Sequence, residues 1–189
     1  SDVDDVVEGI ADLTVSRTLT NVSHPYPKSE AINWIKKQKK TWGKDSYSFA
    51  IELKPGKKMI GVISIVSFDK NREVATTGSW INKKYWQKGY ITEAKIAVNN
   101  FAFDKLKLRK LKSTVFKENV ASNKTKEGVG YRLEGLMIKD SKSKATGKIH
   151  DVYMYGLLKE DWKKNLPKIR KRLNEKIKKL ERNKNAKSL

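Results

Sequence analysis

The stretch YWQKGYITEA, residues 85–94, places a single glycine, Gly89, among bulky aromatic and basic residues, directly ahead of a helical pattern. Glycine tolerates positive φ and close approach of another group to the main chain. A helix start offers unpaired N–H groups to an anion, and Lys88 adds positive charge beside them. The chemistry such a segment permits is the capture of a negatively charged group. A tight turn before a helix needs the same glycine. The other reactive side chains are few. With zero cysteines there is no disulfide framework, thiolate zinc site or cysteine nucleophile. The two histidines, His24 and His150, give no metal-ligand spacing, and no metal is expected. Nucleotide fingerprints of the GxGxxG or GxxxxGK[ST] kind do not occur.

The elements that would carry this segment read as mixed α and β. A short helical piece spans about Val3–Leu13, and a loop holds HPYP, residues 24–27. Ser29 is placed to cap a helix through Lys40, with Ala31, Ile32, Trp34 and Ile35 on its buried side. Three strands follow over 46–53, 59–68 and 73–81, separated by short polar turns that make them an antiparallel meander. Residues 91–106 put Ile91, Ala94, Ile96, Ala97, Val98, Phe101 and Leu106 on a broad apolar helical face. A strand over 109–116, a short helix over 118–128 closed by glycine, and a closing pair of strands over 131–138 and 150–158 complete the pattern. The expected fold class is α+β, a mixed, mostly antiparallel sheet with helices on its faces.

Charge is the strongest compositional feature: 42 Lys and Arg against 21 Asp and Glu, net +21. Such a field attracts nucleic acid, anionic ligands and acidic surfaces, and repels cationic substrates. A lysine-rich solvated surface is the plainer reading. From Trp162 to Leu189 there are 12 Lys and Arg and 2 Glu, net +10. Within this tail Leu166, Ile169, Leu173, Ile177 and Leu180 form one apolar stripe on a basic helix. A helix packed on the domain, an RNA- or ribosome-binding arm, an acidic-lipid contact and a partner helix all fit. Length and aromatic content suit one domain over 1–162, followed by the basic helix over 163–189. No run approaches the roughly 18 apolar residues of a membrane span and no secretory h-region opens the chain. Together with the absence of cysteine, this leads to the expectation of a cytoplasmic protein of undetermined oligomeric state.

SWINKKYWQKGYITEA, then ENVASNK, then GYRLEG, in this order and spacing, resemble the GCN5-related N-acetyltransferase (GNAT) superfamily, with HPYP…EAINWI and HDVYMYGLL matching the branch of bacterial ribosomal-protein N-terminal acetyltransferases. The resemblance covers roughly residues 20–162. It implies a sheet with a V-shaped split that holds acetyl-CoA, the pyrophosphate lying over the loop before the central helix. Gln87, Lys88, Gly89, Tyr90, Ile91 and Thr92 would then form the pyrophosphate loop, a side chain at Gly89 blocking the phosphates. Trp86 and Ile91 depart from the superfamily's usual loop pattern, and Gln87 stands where many relatives have a second glycine. The family's first strand has no counterpart, which suggests residues missing before Ser1.

Acetyl transfer needs a neutral amine, a donor to the oxyanion and a proton for the departing thiolate. By the resemblance, backbone groups of Trp80, Ile81 and Asn82 would meet the oxyanion and pantetheine. Asn119 would bond the pantetheine arm, and the Ser122 hydroxyl would serve as general acid, although both types are also ordinary helix caps. Tyr131 is a second candidate proton donor, at a position more often used for packing. Glu73, Glu134, Asp140 and Asp151 are candidate bases, none of them distinguished. An N-terminal amine, with pKa near 7.7–8, needs less of a base than lysine. Trp34 and Trp42 are candidates for the acceptor side. The implied function is acetyl-CoA-dependent N-acetylation of a protein N-terminus, possible ribosomal acceptors included. The alternatives are acetylation of a small amine, and a non-catalytic CoA- or RNA-binding module.

Overall fold

A computed structural model describes residues 2–44 and 46–186; residues 187–189 of the expected basic tail lie outside the described residues. Helix α1 (Asp2–Ala11) opens with Asp2, Asp4 and Asp5 in its first turn, where carboxylates meet the positive end of the helix dipole. A single turn, α2 (Leu13–Ser16), is capped by Asp12, whose Oδ1 accepts from the Thr14 amide at 2.8 Å. Helix α3 (Lys28–Thr41) starts two residues earlier than the sequence pattern suggests. Pro27 occupies the cap position, so Ser29 lies inside the first turn and makes no cap.

Six strands form one sheet: β1 (Tyr47–Glu52), β2 (Met59–Asp69), β3 (Val74–Ile81), β4 (Lys110–Phe116), β5 (Arg132–Lys142) and β6 (Ile149–Leu158), in the order β1-β2-β3-β4-β6-β5. The first three make the antiparallel meander that their short polar turns require. Strands β3 and β4 are parallel, and a parallel pair needs a crossover. Helix α4 (Tyr90–Asn100) supplies it, extended by a wider turn over Phe101–Lys105. Helix α5 (Val120–Gly128) links β4 to β5, and helix α6 (Lys159–Asn185) leaves β6 without a break. Strand β5 runs to Lys142, four residues beyond its expected end at Ile138; Asp151 holds the extension by accepting from the Lys139 amide at 3.0 Å.

The β3–β4 pairing is brief. Only Val74–Lys110, Ala75–Leu111 and Thr76–Lys112 are matched, although β3 continues to Ile81 and β4 to Phe116. Beyond Thr76 the two strands part, and the sheet opens into a V. Side chains close its apex: Ser113 Oγ donates to the Thr77 carbonyl at 2.8 Å, and Thr77 Oγ1 to the Lys112 carbonyl at 3.3 Å.

Each face of the sheet has its own apolar core. On one face α4 and α6 bury Phe103, Leu108, Leu111, Tyr155, Trp162 and Ile169. On the other, α1 and α3 cover Val6, Ile10, Ala31, Met59 and Val62, with Trp80 packed beside them. Helix α4 departs from its expected amphipathic pattern. Ala97 is exposed, while Lys95 and Asn99 are among its most buried residues. Helix α6 runs unbroken across residue 162, and its first half belongs to the core. Trp162 is 1% exposed, its indole donates to Asn100 Oδ1 at 2.9 Å, and Ile169 and Leu173 are buried. From Ile177 onward the stripe emerges into solvent.

Trp162→Ala is expected to cost about 3–5 kcal/mol, the range for a buried large aromatic, read as a shift of the urea unfolding midpoint. A loss below about 1 kcal/mol would show that the basic helix is an appendage and not part of the fold.

Candidate active site

Where β3 and β4 separate, main-chain groups are left without strand partners. Main-chain direction alternates along a strand. Ser113 reaches the Thr77 carbonyl on the β4 side, whereas the Asn82 amide bonds Ile60 on the β2 side. Ser79 and Ile81 therefore turn their N–H groups into the split, and Gly78, Trp80 and Asn82 turn theirs to β2. Of the three residues expected to offer backbone groups there, only Ile81 does so. Its carbonyl already accepts the Trp86 indole N–H at 2.8 Å. Trp80 contributes its ring to the cleft wall instead, packed so closely on α1 that a Cβ at Gly9 would lie 2.4 Å from it. Asn82 is buried, and its Oδ1 caps the turn Lys83–Tyr85 by accepting from the Lys84 amide at 3.0 Å. Ser79 is the position that strand alternation adds.

That turn delivers the chain to the loop before α4. Gln87 has φ 61°, in the left-handed region where glycine is at ease. This is the position where the resemblance finds a second glycine. Gly89 has φ 90° and is the N-cap of α4. Thr92 and Glu93 return their amides to the Gly89 carbonyl at 2.9 and 3.0 Å. The amides of Tyr90 and Ile91, ahead of that first bond, make no hydrogen bond among the described residues. Tyr90, Ile91 and Thr92 are half-buried, and Lys88 is exposed with its ammonium 5.4 Å from the Tyr85 ring centroid. Free amides, a helix start and a lysine fit a phosphate-bearing group. The expected reason for Gly89 changes, however. A Cβ there would meet Leu173 Cδ1 at 2.9 Å, so helix α6 occupies the space that a side chain would need.

A cleft of about 560 Å³ runs from the α1–α3 face into the split. Asn119, Ser122, Trp34 and Trp80 line it; Trp42 does not, being 46% exposed and packed edge-on to Tyr47 and Phe49. Asn119 caps α5, its Oδ1 accepting from the Ser122 amide at 3.1 Å. Ser122 presents a half-buried hydroxyl to the cleft. Tyr131 is 4% exposed and stands one hydroxyl back from the cleft, its OH paired with Thr77 Oγ1 at 2.9 Å. Burial pushes its phenol well above the ordinary tyrosine range, which makes it a weak proton donor.

None of Glu73, Glu134, Asp140 and Asp151 lines the cleft. Glu134 pairs with Lys110 at 2.7 Å, and Asp151 with Lys117 at 3.4 Å. The carboxylate that does line it is Glu30 on α3, paired with Lys144 from the β5–β6 hairpin at 2.9 Å. Hydrogen bonding to that lysine holds the Glu30 carboxyl below its usual range, opposing any role as a base.

Two residues absent from the sequence-based site stand at the apex of the V. Lys95 on α4 and Lys126 on α5 are each 3% exposed. Lys95 Nζ donates to Ser79 Oγ at 3.2 Å, and Lys126 Nζ to Thr77 Oγ1 at 3.4 Å while lying 4.6 Å from the Tyr131 ring centroid. Both amines thus bond hydroxyls of β3 two residues apart, on the same face of the strand. Desolvation brings Lys95 down to about 8 and, with the neighbouring Lys95 charge, holds Lys126 well below the ordinary lysine range.

Against this geometry, the acetyltransferase (GNAT) domain family matches residues 1–132, and the chain belongs to that family. It is 30% identical over 114 residues to the uncharacterized N-acetyltransferase p20 of Bacillus licheniformis, covering 60% of this chain and 63% of that one. It is 32% identical over 104 residues to YdaF of Bacillus subtilis, provisionally named a ribosomal N-acetyltransferase, covering 55% and 56%. The chain thus spans less than two thirds of the length of these curated relatives. The fold matches the spermidine N-acetyltransferase of Vibrio cholerae, solved with CoA and spermine, with a TM-score of 0.72 over 85% of this chain and 92% of that one at 17% identity.

Gly89→Ala combines left-handed strain with the Leu173 contact and is expected to cost about 1–3 kcal/mol by chemical denaturation. In a Leu173→Ala background only the strain should remain, a smaller loss; equal losses in both backgrounds would remove α6 from the explanation. Because the folded lysine pair holds its protons less tightly than the unfolded chain, the unfolded state binds more protons between about pH 8 and the ordinary lysine pKa near 10.4. Stability should therefore rise with pH across that window. Urea melts of Lys95→Met are expected to show a shallower rise than the wild type over the same range.

Proposed function

We propose that this protein is an acetyl-CoA-dependent N-acetyltransferase whose acceptor is a protein N-terminal α-amine. The observation that carries the reading is the cleft through the β3–β4 split. Its inner end has the open strand edge at Ser79, the edge continues beyond it to the Ile81 amide, and the free helix-start amides of Tyr90 and Ile91 stand at the loop that follows. Acetyl-CoA bound there supplies an activated thioester. Gln87 to Thr92 would hold its pyrophosphate, and the edge of β3 its pantetheine arm. Asn119 has its side-chain NH₂ available to the same arm, since its oxygen is used in the cap. Ser122 would stand beside the reacting carbonyl.

The acceptor would approach from the α1–α3 face, past Trp34 and Glu30. A polyamine needs several carboxylates, and the one lining this cleft is already paired with Lys144. The net charge of +21 also repels polycations. An α-amine is partly neutral near pH 7, so it requires no strong base, in keeping with the cleft's lack of one among its described lining residues. The name of YdaF points to the same acceptor class.

Calorimetric titration in moderate salt is expected to give micromolar acetyl-CoA binding, weakened about tenfold by Lys88→Glu, a change at an exposed side chain. Release of CoA thiol should be at least tenfold faster with a peptide bearing a free N-terminus and acidic residues after it than with spermidine. Absence of acetyl-CoA binding would overturn the proposal, and preference for spermidine would overturn the acceptor.

A further inference from the structure

The apex of the split contains a charge arrangement that binding of acetyl-CoA and an acceptor amine does not by itself explain. Lys95 and Lys126 come from different helices, are nearly inaccessible, and converge on three hydroxyl-bearing residues, Thr77, Ser79 and Tyr131. Among the described residues, no carboxylate forms an ion pair with either amine. Burying an ammonium without a counter-charge is costly, and two adjacent ones cannot both remain charged. The arrangement therefore amounts to a shared positive charge whose partner is missing from the chain itself. A cationic pair of this kind in a core would ordinarily be replaced by apolar residues at a gain in stability.

The position of the pair indicates the partner. Lys126 lies one helical turn beyond Ser122 on α5, and both line the cleft. Lys95 is held by Ser79, whose main chain borders the open strand edge. Any thioester lodged in the split releases its negative charge at sulfur as the C–S bond breaks. Tyr131 is poorly suited to neutralise that charge, because its hydroxyl is engaged by Thr77 behind the wall.

We infer that Lys126, with Lys95 sharing its charge, is the acid that receives the departing CoA sulfur. The inference rests on the acetyltransferase reading of the cleft. The acceptor amine adds to the thioester carbonyl carbon, and the C–S bond breaks with its electron pair on sulfur. The single proton that the pair shares reaches the sulfur through Lys126 Nζ–H, which leaves CoA as a thiol and both lysines as neutral amines. The proton lost by the acceptor nitrogen goes to water in the cleft, from which Lys126 is recharged. The titratable groups facing Lys126 are Lys95 from α4 and Tyr131 from the approach to β5; β3 and β4 present the hydroxyls of Thr77, Ser79 and Ser113.

The test needs no knowledge of the acceptor. CoA and desulfo-CoA, in which hydrogen replaces the thiol, are titrated calorimetrically into the full chain near pH 8, where the CoA thiol is partly ionised. Wild type should bind CoA about tenfold more tightly than desulfo-CoA. Lys126→Met should bind the two alike, with desulfo-CoA affinity unchanged, and Lys95→Met should show an intermediate preference. Replacing a buried amine with methionine removes a desolvation cost, so both variants should fold, and their thermal midpoints are measured alongside. With an N-terminal peptide, Lys126→Met should lower kcat about a hundredfold while changing KM for acetyl-CoA less than threefold. Equal preference for CoA in wild type and Lys126→Met, or no preference in the wild type, would overturn the inference while leaving the acetyltransferase reading intact. Failure of the wild type to bind either nucleotide would overturn both.

Discussion

The end of strand pairing at Thr76 and Lys112 is the constraint on which the rest of the molecule turns. Three matched residues hold β3 and β4 parallel, and past them each strand follows its other neighbour, β2 or β6. Unpaired strand edges in an interior are costly unless their groups find partners. At the apex the Ser113 and Thr77 side chains supply them. Further along, the Trp86 indole takes the Ile81 carbonyl. What remains unpaired is a short stretch of strand edge, and that is where an extended ligand arm can bind as a further strand would.

The same opening explains why polar residues occupy positions that helix packing would give to leucine. Lys95 faces inward on α4, where it reaches Ser79 at the edge of the split. Lys126 does so on α5. A hydrophobic lining would stabilise the domain but would close the V and leave nothing to meet a developing charge. Stability and chemistry pull in opposite directions here, as they commonly do at functional sites.

Helix α6 links the distal parts of this arrangement. Trp162 fixes its start against α4, Arg172 Nη2 donates to the Gly128 carbonyl at the end of α5 at 2.6 Å, and Leu173 fills the space above Gly89. The helix thus braces both helices that flank the split, and its basic character is confined to the outward face. The net charge of the tail and the packing of the tail are separate properties of one helix. Composition alone merges them.

Much was legible in the sequence. The split sheet was implied by the family resemblance, whereas alternation and turn residues gave the meander, the spacing around Gly89 gave a loop with left-handed backbone before a helix, and the succession of elements gave the α+β class. These are local features, set by φ/ψ preferences and by periods of two and 3.6 residues, so a linear reading can capture them. Ser29 was misplaced because Pro27 takes the cap position, and Ala97 because α4 turns Lys95, Val98 and Asn99 inward. The burial of Lys95 and Lys126, the engagement of Glu30 by Lys144, and the contact of Leu173 with Gly89 were decided only by tertiary structure. Each brings together groups from elements distant in the chain. A lysine reads as solvent-facing until the fold supplies the neighbours that strip its water away.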